Sequence, residues 1–229
     1  MSATVIESES TAAGEPAAQL LSLFATPVAR VPCPFATEVN ARLRASVERR
    51  MATDVKDLAF KSETIDNLTA WEDSHADQLT AWVLKVARTS VERLRNESLY
   101  QAVGAPSAAD VRIQPLRSWV SIYRSGDYHP AHFHPNTAIA AIYYLAAPDS
   151  CDLDLVDPRT NVDYFDPGIT FANEGHIVRL RCRPGDLLLL PGWLRHSVPE
   201  YDGDDLRISV SWNLTYEFSS GAVLQPAGG

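Results

Sequence analysis

From Val111 onward the chain is divided into short β-rich runs, each cut off by a strong turn signal. The runs are Trp119 to Tyr123, Ala138 to Leu145, Leu153 to Val156, Ile177 to Leu180, Leu187 to Leu190 and Leu206 to Trp212. Between them stand Pro148-Asp149, Asp157-Pro158, Asp166-Pro167-Gly168, Pro184-Gly185-Asp186 and Asp202-Gly203-Asp204. Proline presets φ, glycine admits positive φ and aspartate bonds its own backbone, so these segments reverse the chain. Many short strands with frequent reversals suit a compact barrel or sandwich.

The first half reads differently. Thr37 is placed to cap a helix with Val39, Leu43 and Val47 at four-residue spacing, and Ser74 to cap another with Leu79, Trp82, Val83, Val86 and Leu94. Each carries one apolar stripe, the usual core face of a helix packed on a sheet. The run Leu20 to Val31 predicts an opening strand, broken by Pro27, closed by Pro32 and Pro34, and confined by these prolines to a sheet edge. Residues 1–19 are dominated by Ser, Thr, Ala, Glu and Pro, too poor in apolar side chains to offset the entropy of ordering, so a disordered tail is expected there. The rest, 20–229, reads as one domain, with helical support over about 35–96 and a β core over about 111–216.

Twenty Lys and Arg against 29 Asp and Glu leave a net charge of −9, and no basic run tracks a phosphate backbone, which disfavours nucleic acid. No stretch approaches the roughly 20 apolar residues of a membrane helix, and no leader pattern opens the chain, so a cytoplasmic protein is expected. Cys33, Cys151 and Cys182 are odd in number and widely spaced, which predicts buried reduced thiols rather than disulfides or a thiolate zinc site.

Five of the six histidines lie in the β-rich half, three of them in His129-Pro-Ala-His132-Phe-His134-Pro. On an extended strand, residues i and i+2 share a face, so His132 and His134 can aim two imidazoles at one point. His129, three residues earlier, falls off that face unless the chain bends, and is read as a supporting or loop residue. A third ligand must come from a distant strand. His196, delivered by the run Asp186-Leu-Leu-Leu-Leu-Pro-Gly-Trp-Leu-Arg, is the best candidate. An H-x-H pair alone is also compatible with a histidine cluster without catalytic purpose.

With these residues in order, the segment from about 115 to 216 resembles the double-stranded β-helix core of the Fe(II)/2-oxoglutarate-dependent oxygenases. Tyr123 stands nine residues before His132, Ile142-Tyr-Tyr-Leu145 follows, and Arg207-Ile-Ser209 comes eleven residues after His196. A bacterial branch with an H-x-H-P motif is similar further: it shares Phe24-Ala-Thr-Pro27, the Asp157-Pro-Arg159 turn and the ending Arg207-Ile-Ser-Val-Ser-Trp-Asn213. The resemblance implies a mainly β fold with flanking helices, a jelly-roll, cupin-like core. It implies Fe(II) on His132, His134 and His196, and the distal carboxylate of 2-oxoglutarate on Arg207, assisted by Ser209, Tyr123 and Tyr144. A guanidinium fork matches a planar carboxylate, and Arg207 and Ser209 alternate onto one strand face as that task requires. Each tyrosine equally fits ordinary strand packing.

Most members of that superfamily hold iron with two histidines and one carboxylate, whereas the carboxylate position here reads His134, so all three ligands are neutral. Asp127, five residues before His132, is an alternative ligand if the chain loops. The implied activity is oxidative decarboxylation of 2-oxoglutarate coupled, with O₂, to hydroxylation or related C–H oxidation of a small-molecule or amino-acid-like substrate. The rivals are a three-histidine cupin-type dioxygenase that uses no 2-oxoglutarate, and a non-catalytic metal-binding or ligand-binding barrel.

Overall fold

The computed structural model describes residues 25–94, 111–147, 152–159 and 177–218. Within them two antiparallel sheets form a jelly-roll, as expected. The larger contains β1 (Ala29–Pro32), β2 (Val55–Asp57), β3 (Ser62–Thr64), β4 (Val111–Tyr123), β6 (Ile139–Ala146), β9 (Asp186–Pro191) and β11 (Arg207–Phe218), in the order β1-β9-β6-β11-β4-β3-β2. The smaller contains β5 (His129–His132), β7 (Asp152–Val156), β8 (Ile177–Arg181) and β10 (His196–Val198), in the order β5-β10-β7-β8. Among the described residues no helix is long and apolar enough to cross a membrane. Cys33 and Cys182 are buried and free, as expected, while Cys151 lies outside the described residues.

The large sheet is covered on both faces, and side-chain alternation decides what each face meets. Val120 and Ile122, Ala141, Tyr143 and Leu145, Leu187 and Leu189, and Ile208, Val210 and Trp212 pack with the helices in one core. Their alternating neighbours Tyr123, Ala140, Ile142, Tyr144, Leu188 and Leu190 pack toward the small sheet, against Leu153, Leu155 and Val198. Burial on both faces explains why β9 reads as an unbroken Leu run rather than an alternating one.

The helices α1 (Ala36–Arg50) and α2 (Ser74–Leu94) bury the predicted stripes, Val39, Leu43 and Val47 on one and Leu79 and Val83 on the other. Trp212 ties sheet to helix, its indole N–H donating to Thr80 Oγ1 at 3.3 Å. Several details differ from the sequence reading. The first helix is capped at Phe35 without a side-chain bond, so Thr37 lies inside it. Asp73 rather than Ser74 caps the second, its carboxylate accepting the backbone N–H of His75 at 2.9 Å. Leu94, expected in the apolar stripe, is 63% exposed at the end of the helix, where no described residue covers it. The opening strand begins only at Ala29, beyond the interruption at Pro27, and does lie at the sheet edge, where Pro32 is tolerated. The strands β2, β3 and β10 were not predicted, and β4 and β11 extend well past the runs that announced them. The predicted tail, and the turns at Pro148-Asp149 and Asp166-Pro167-Gly168, lie outside the described residues.

Leu79 is fully buried and Leu94 mostly exposed on the same helix, which separates packing from helix propensity. Leu79→Ala is expected to lower unfolding free energy by about 2–5 kcal/mol. Leu94→Ala should change it by less than about 0.5 kcal/mol, both read from urea denaturation midpoints.

Candidate metal centre

The cavity between the sheets has one wall from each. The small sheet supplies His129 and His132 from β5, His196 and Val198 from β10 and Leu153 from β7, with His134 just beyond β5. The large sheet supplies Trp119, Ser121 and Tyr123 from β4, Ile142 and Tyr144 from β6, and Arg207, Ser209 and Ser211 from β11, with Lys61 at the start of β3.

His132, His134 and His196 each offer a ring nitrogen, all within 4.8 Å of one another. The Nε2 atoms of His134 and His196 are 3.4 Å apart, close to the roughly 3 Å expected of two imidazoles bound side by side on one ion at about 2.1 Å. His132 Nδ1–H donates to the Pro130 carbonyl, and His196 Nδ1–H to the Leu194 carbonyl, each at 2.9 Å. In both rings this fixes the tautomer and leaves the Nε2 lone pair for a metal. The donor set, three neutral nitrogens with no thiolate, fits a ferrous ion and leaves coordination positions for other ligands.

The route to this geometry is not the predicted one. β5 ends at His132, so His134 does not reach the site by strand alternation. Its backbone N–H donates to Gly192 O at 2.8 Å, while Gly192 N–H donates to Ala138 O at 3.1 Å, clamping the β5–β6 turn onto the β9–β10 turn. A Cβ at Gly192 would stand 2.0 Å from Thr137 O, so this clamp requires glycine. His196 lies directly opposite His132, which brings their ring centroids to 4.4 Å. A bulge separates this pair from Val198 opposite His129, so three residues of β10 (196–198) face four of β5 (129–132). The extra residue turns His129 back to the cavity side, where its ring stacks on His132 at 3.8 Å and on Phe60 at 4.8 Å. It therefore supports His132 rather than sitting in a loop. Asp127 stays in its own turn, its carboxylate accepting the Arg124 N–H at 2.8 Å, and is not in the metal-capable group.

Burial dominates the electrostatics. It pulls His196 down to about 3, assisted by the charge of His132, and His132 to about 4 against the bond to Pro130. His129 is lowered to about 2 by burial and then by Lys61, and His134 is lowered by burial despite the Asn213 side chain.

On the facing wall, Arg207 pairs with Tyr123 across β4, and Ser209 lies between Ser121 and Tyr144. Arg207 is 2% exposed, with its guanidinium carbon 5.0 Å from the Tyr123 ring centre and 5.8 Å from that of Tyr144. All seven residues singled out in the sequence thus line one cavity. The sequence reading missed Lys61, Ser121 and Trp119. Ser121 Oγ accepts from Lys61 Nζ at 2.9 Å and from Trp119 Nε1 at 3.2 Å, and the Trp119 ring stacks on His134 at 6.0 Å. Ser121 and Trp119 were within reach, since they alternate with Tyr123 along β4.

Residues 117–213 match the model of the family described as "Putative 2OG-Fe(II) oxygenase". None of the curated proteins matches the chain in sequence. Among solved structures, the α-ketoglutarate-dependent epimerase SnoN of nogalamycin biosynthesis is similar at 15% identity and TM-score 0.57, covering 89% of this chain and 86% of that one. HygX from Streptomyces hygroscopicus, crystallised with nickel, 2-oxoglutarate and hygromycin B, is similar at 14% identity and TM-score 0.54, covering 85% and 84%. A Pseudomonas putida prolyl-4-hydroxylase gives 17% identity and TM-score 0.51, covering 83% and 93%. The structural likeness establishes the shared fold. The family match bears out, over residues 117–213, the resemblance to the Fe(II)/2-oxoglutarate-dependent oxygenases seen in the sequence, and the three-histidine group lies within that segment.

Because the unfolded chain takes up protons near the ordinary histidine value of about 6.5 and the folded site only well below it, these histidines contribute stability above that pH and lose it on acidification. In metal-free protein the urea midpoint should fall between about pH 7 and about pH 5, and fall less steeply in His196→Gln.

Proposed function

On the premise of a 2OG-Fe(II) oxygenase segment over residues 117–213, we propose that this protein oxidises a C–H bond of a small-molecule or amino-acid-like substrate, with 2-oxoglutarate and O₂ as co-substrates. His132, His134 and His196 are the residues that would hold Fe(II). The observation that carries the reading is the three-histidine group on one wall of a cavity whose other wall carries a buried arginine.

Ferrous iron bound there supplies the O₂ activation that decarboxylates 2-oxoglutarate to succinate and CO₂ and oxidises the substrate. The chain's own residues bind, orient and exclude water. Arg207 fits the distal carboxylate of 2-oxoglutarate as a two-pronged donor, and the hydroxyl of Ser209 adds a charge-assisted bond on the same strand face. Tyr123 and Tyr144 come from the strands on either side of β11 and set their rings near the arginine, and their hydroxyls are the further donors assigned to the same group. Low imidazole pKa values keep the three rings neutral, the state in which nitrogen binds metal. Ile142, Leu153 and Val198 line the cavity with apolar surface, which strengthens every polar contact inside it. Hydroxylation is the default outcome, with desaturation and ring formation open to the same machinery. Buried free thiols at Cys33 and Cys182 suit a cytoplasmic setting.

A neutral ligand set favours one second reading, a three-histidine dioxygenase that binds its substrate on iron without 2-oxoglutarate. Under argon, protein loaded with Fe(II) and 2-oxoglutarate should show the visible charge-transfer band of the chelate, and Arg207→Ala should lose it. A parent protein without the band supports the second reading, and a band unchanged in Arg207→Ala moves the carboxylate site elsewhere. Iron retained per chain after identical anaerobic loading and desalting tests the ligands. It should drop well below parent in His134→Ala and stay near parent in His129→Ala, and the reverse order would reject this ligand set.

A further inference from the structure

Lys61 is a cation that the proposed reaction does not use. It lines the cavity, yet it is only 4% exposed, and a buried ammonium is costly unless something repays its lost hydration. Among the described residues, its three N–H donors meet two acceptors, Ser121 Oγ at 2.9 Å and Glu63 Oε2 at 3.3 Å. Glu63 does not neutralise it alone, because the same carboxylate also takes Lys56 Nζ at 2.9 Å and Arg117 Nη2 at 3.4 Å. Three cations share one anion. No aspartate or glutamate lines the cavity among the described residues, and the candidate ligands are neutral imidazoles. Among the described residues, the cavity wall around Lys61 therefore carries surplus positive charge.

The position of that charge matters. In the large sheet β4 stands between β11, which carries Arg207, and β3, which Lys61 precedes. Both cations approach the ring of Tyr123, Arg207 Cζ at 5.0 Å and Lys61 Nζ at 5.8 Å from its centre. Lys61 is thus a second anion-binding point beside the first, on the side of the cavity where Ser121 and Trp119 lead to His134. Its charge is felt across the metal group, since it helps to depress His129, His132, His134 and His196.

Resting on the oxygenase reading for its first carboxylate, we propose that Lys61 binds a carboxylate of the substrate to be oxidised, so that the substrate is an organic acid or amino acid rather than a neutral molecule. Arg207 takes the co-substrate, and Lys61 anchors the substrate at one charged end and orients the remainder over the metal. Ser121 holds the ammonium in place, and Glu63 keeps it charged inside the cavity.

The test uses phenylacetate and its neutral analogue phenylacetamide as probes, titrated by saturation-transfer NMR onto full-length protein loaded with Zn(II) and saturating 2-oxoglutarate. The parent should bind the acid roughly tenfold or more tightly than the amide, the scale of one hydrogen bond to a charged group. Lys61→Met should bind the two alike, and Lys61→Arg should keep the preference. Affinity for 2-oxoglutarate, measured by calorimetry, should stay within about twofold in Lys61→Met and fall roughly tenfold or more in Arg207→Ala. Equal binding in the parent, or a preference that survives in Lys61→Met, overturns the proposal. A 2-oxoglutarate affinity that collapses in Lys61→Met also overturns it, by assigning Lys61 to the co-substrate. Should Lys61→Met fail to fold, the Lys61→Met/Glu63→Gln double variant removes both charges of the pair and carries the same comparison. Repeating the probe titration in Arg207→Ala, without metal or co-substrate, separates the two readings. A preference that persists there and disappears on adding Lys61→Met supports Lys61 even if the parent binds no 2-oxoglutarate, an outcome that defeats only the oxygenase reading.

Discussion

The large sheet is packed on both faces, and most other features of the molecule follow from that constraint. Each of β4, β6, β9 and β11 sends alternate side chains to a helix-covered core and to the space between the sheets. A one-residue slip in any of them would exchange the two sets, moving Arg207 and Ser209 into the aliphatic core beside α2 and Ile208 and Val210 into the cavity. Register is therefore held by burial of large apolar residues such as Trp212 and Tyr143, both fully buried, and the polar wall of the cavity is placed by the same packing that stabilises the fold. The long pairing of β11 with β4 fixes Arg207 opposite Tyr123 without any contribution from loops.

Against this rigid wall the small sheet is built from irregularity. β5 and β10 are only four and three residues long, they carry a bulge, and one of the three candidate ligands lies beyond the strand end. The histidines are aimed by carbonyls two residues upstream, by ring stacking through His129 and Phe60, and by the turn clamp at Gly192. Positioning by local hydrogen bonds rather than by a ladder suits a site whose ligands come from two chain segments far apart in sequence, because each ring can be set independently.

This division also explains what could be read from the sequence. Strands buried in the large sheet announced themselves by dense apolar runs, so Ala138 to Leu145, Leu187 to Leu190 and Leu206 to Trp212 fell close to observed strands. The helical stripes were equally legible, apart from Leu94, where an apolar residue continues the period past the surface it could cover. The site residues were legible by type and order. Their geometry was not: alternation singled out His132 and His134, which the structure brings together by a loop clamp instead, and the bulge that returns His129 to the cavity has no signature in His-Pro-Ala-His. Lys61 was hidden for a different reason. It lies in Val55-Lys-Asp-Leu-Ala-Phe-Lys-Ser-Glu-Thr64, a polar stretch with the composition of an exposed loop, and only the tertiary pairing of β3 onto β4 carries it into the interior.

The charge distribution draws these features together. On the proposed ligand set, His134 stands where an iron site of this kind ordinarily has a carboxylate, so the protein brings one negative charge fewer to that place. The described cavity does not restore it from elsewhere: Glu63 is the nearest acidic group in the Lys61 network, and it is committed to three cations. With Fe(II) held there as proposed, charge balance beside Lys61 then falls, among the described residues, to the molecules the cavity binds. A 2-oxoglutarate dianion bound as proposed would offset the charge of the metal, and Lys61 lines the same space. On the proposed ligand set, neutral ligands and the buried Lys61 are thus two parts of one electrostatic arrangement, in which loss of negative charge from the protein raises its demand for negative charge in what it binds.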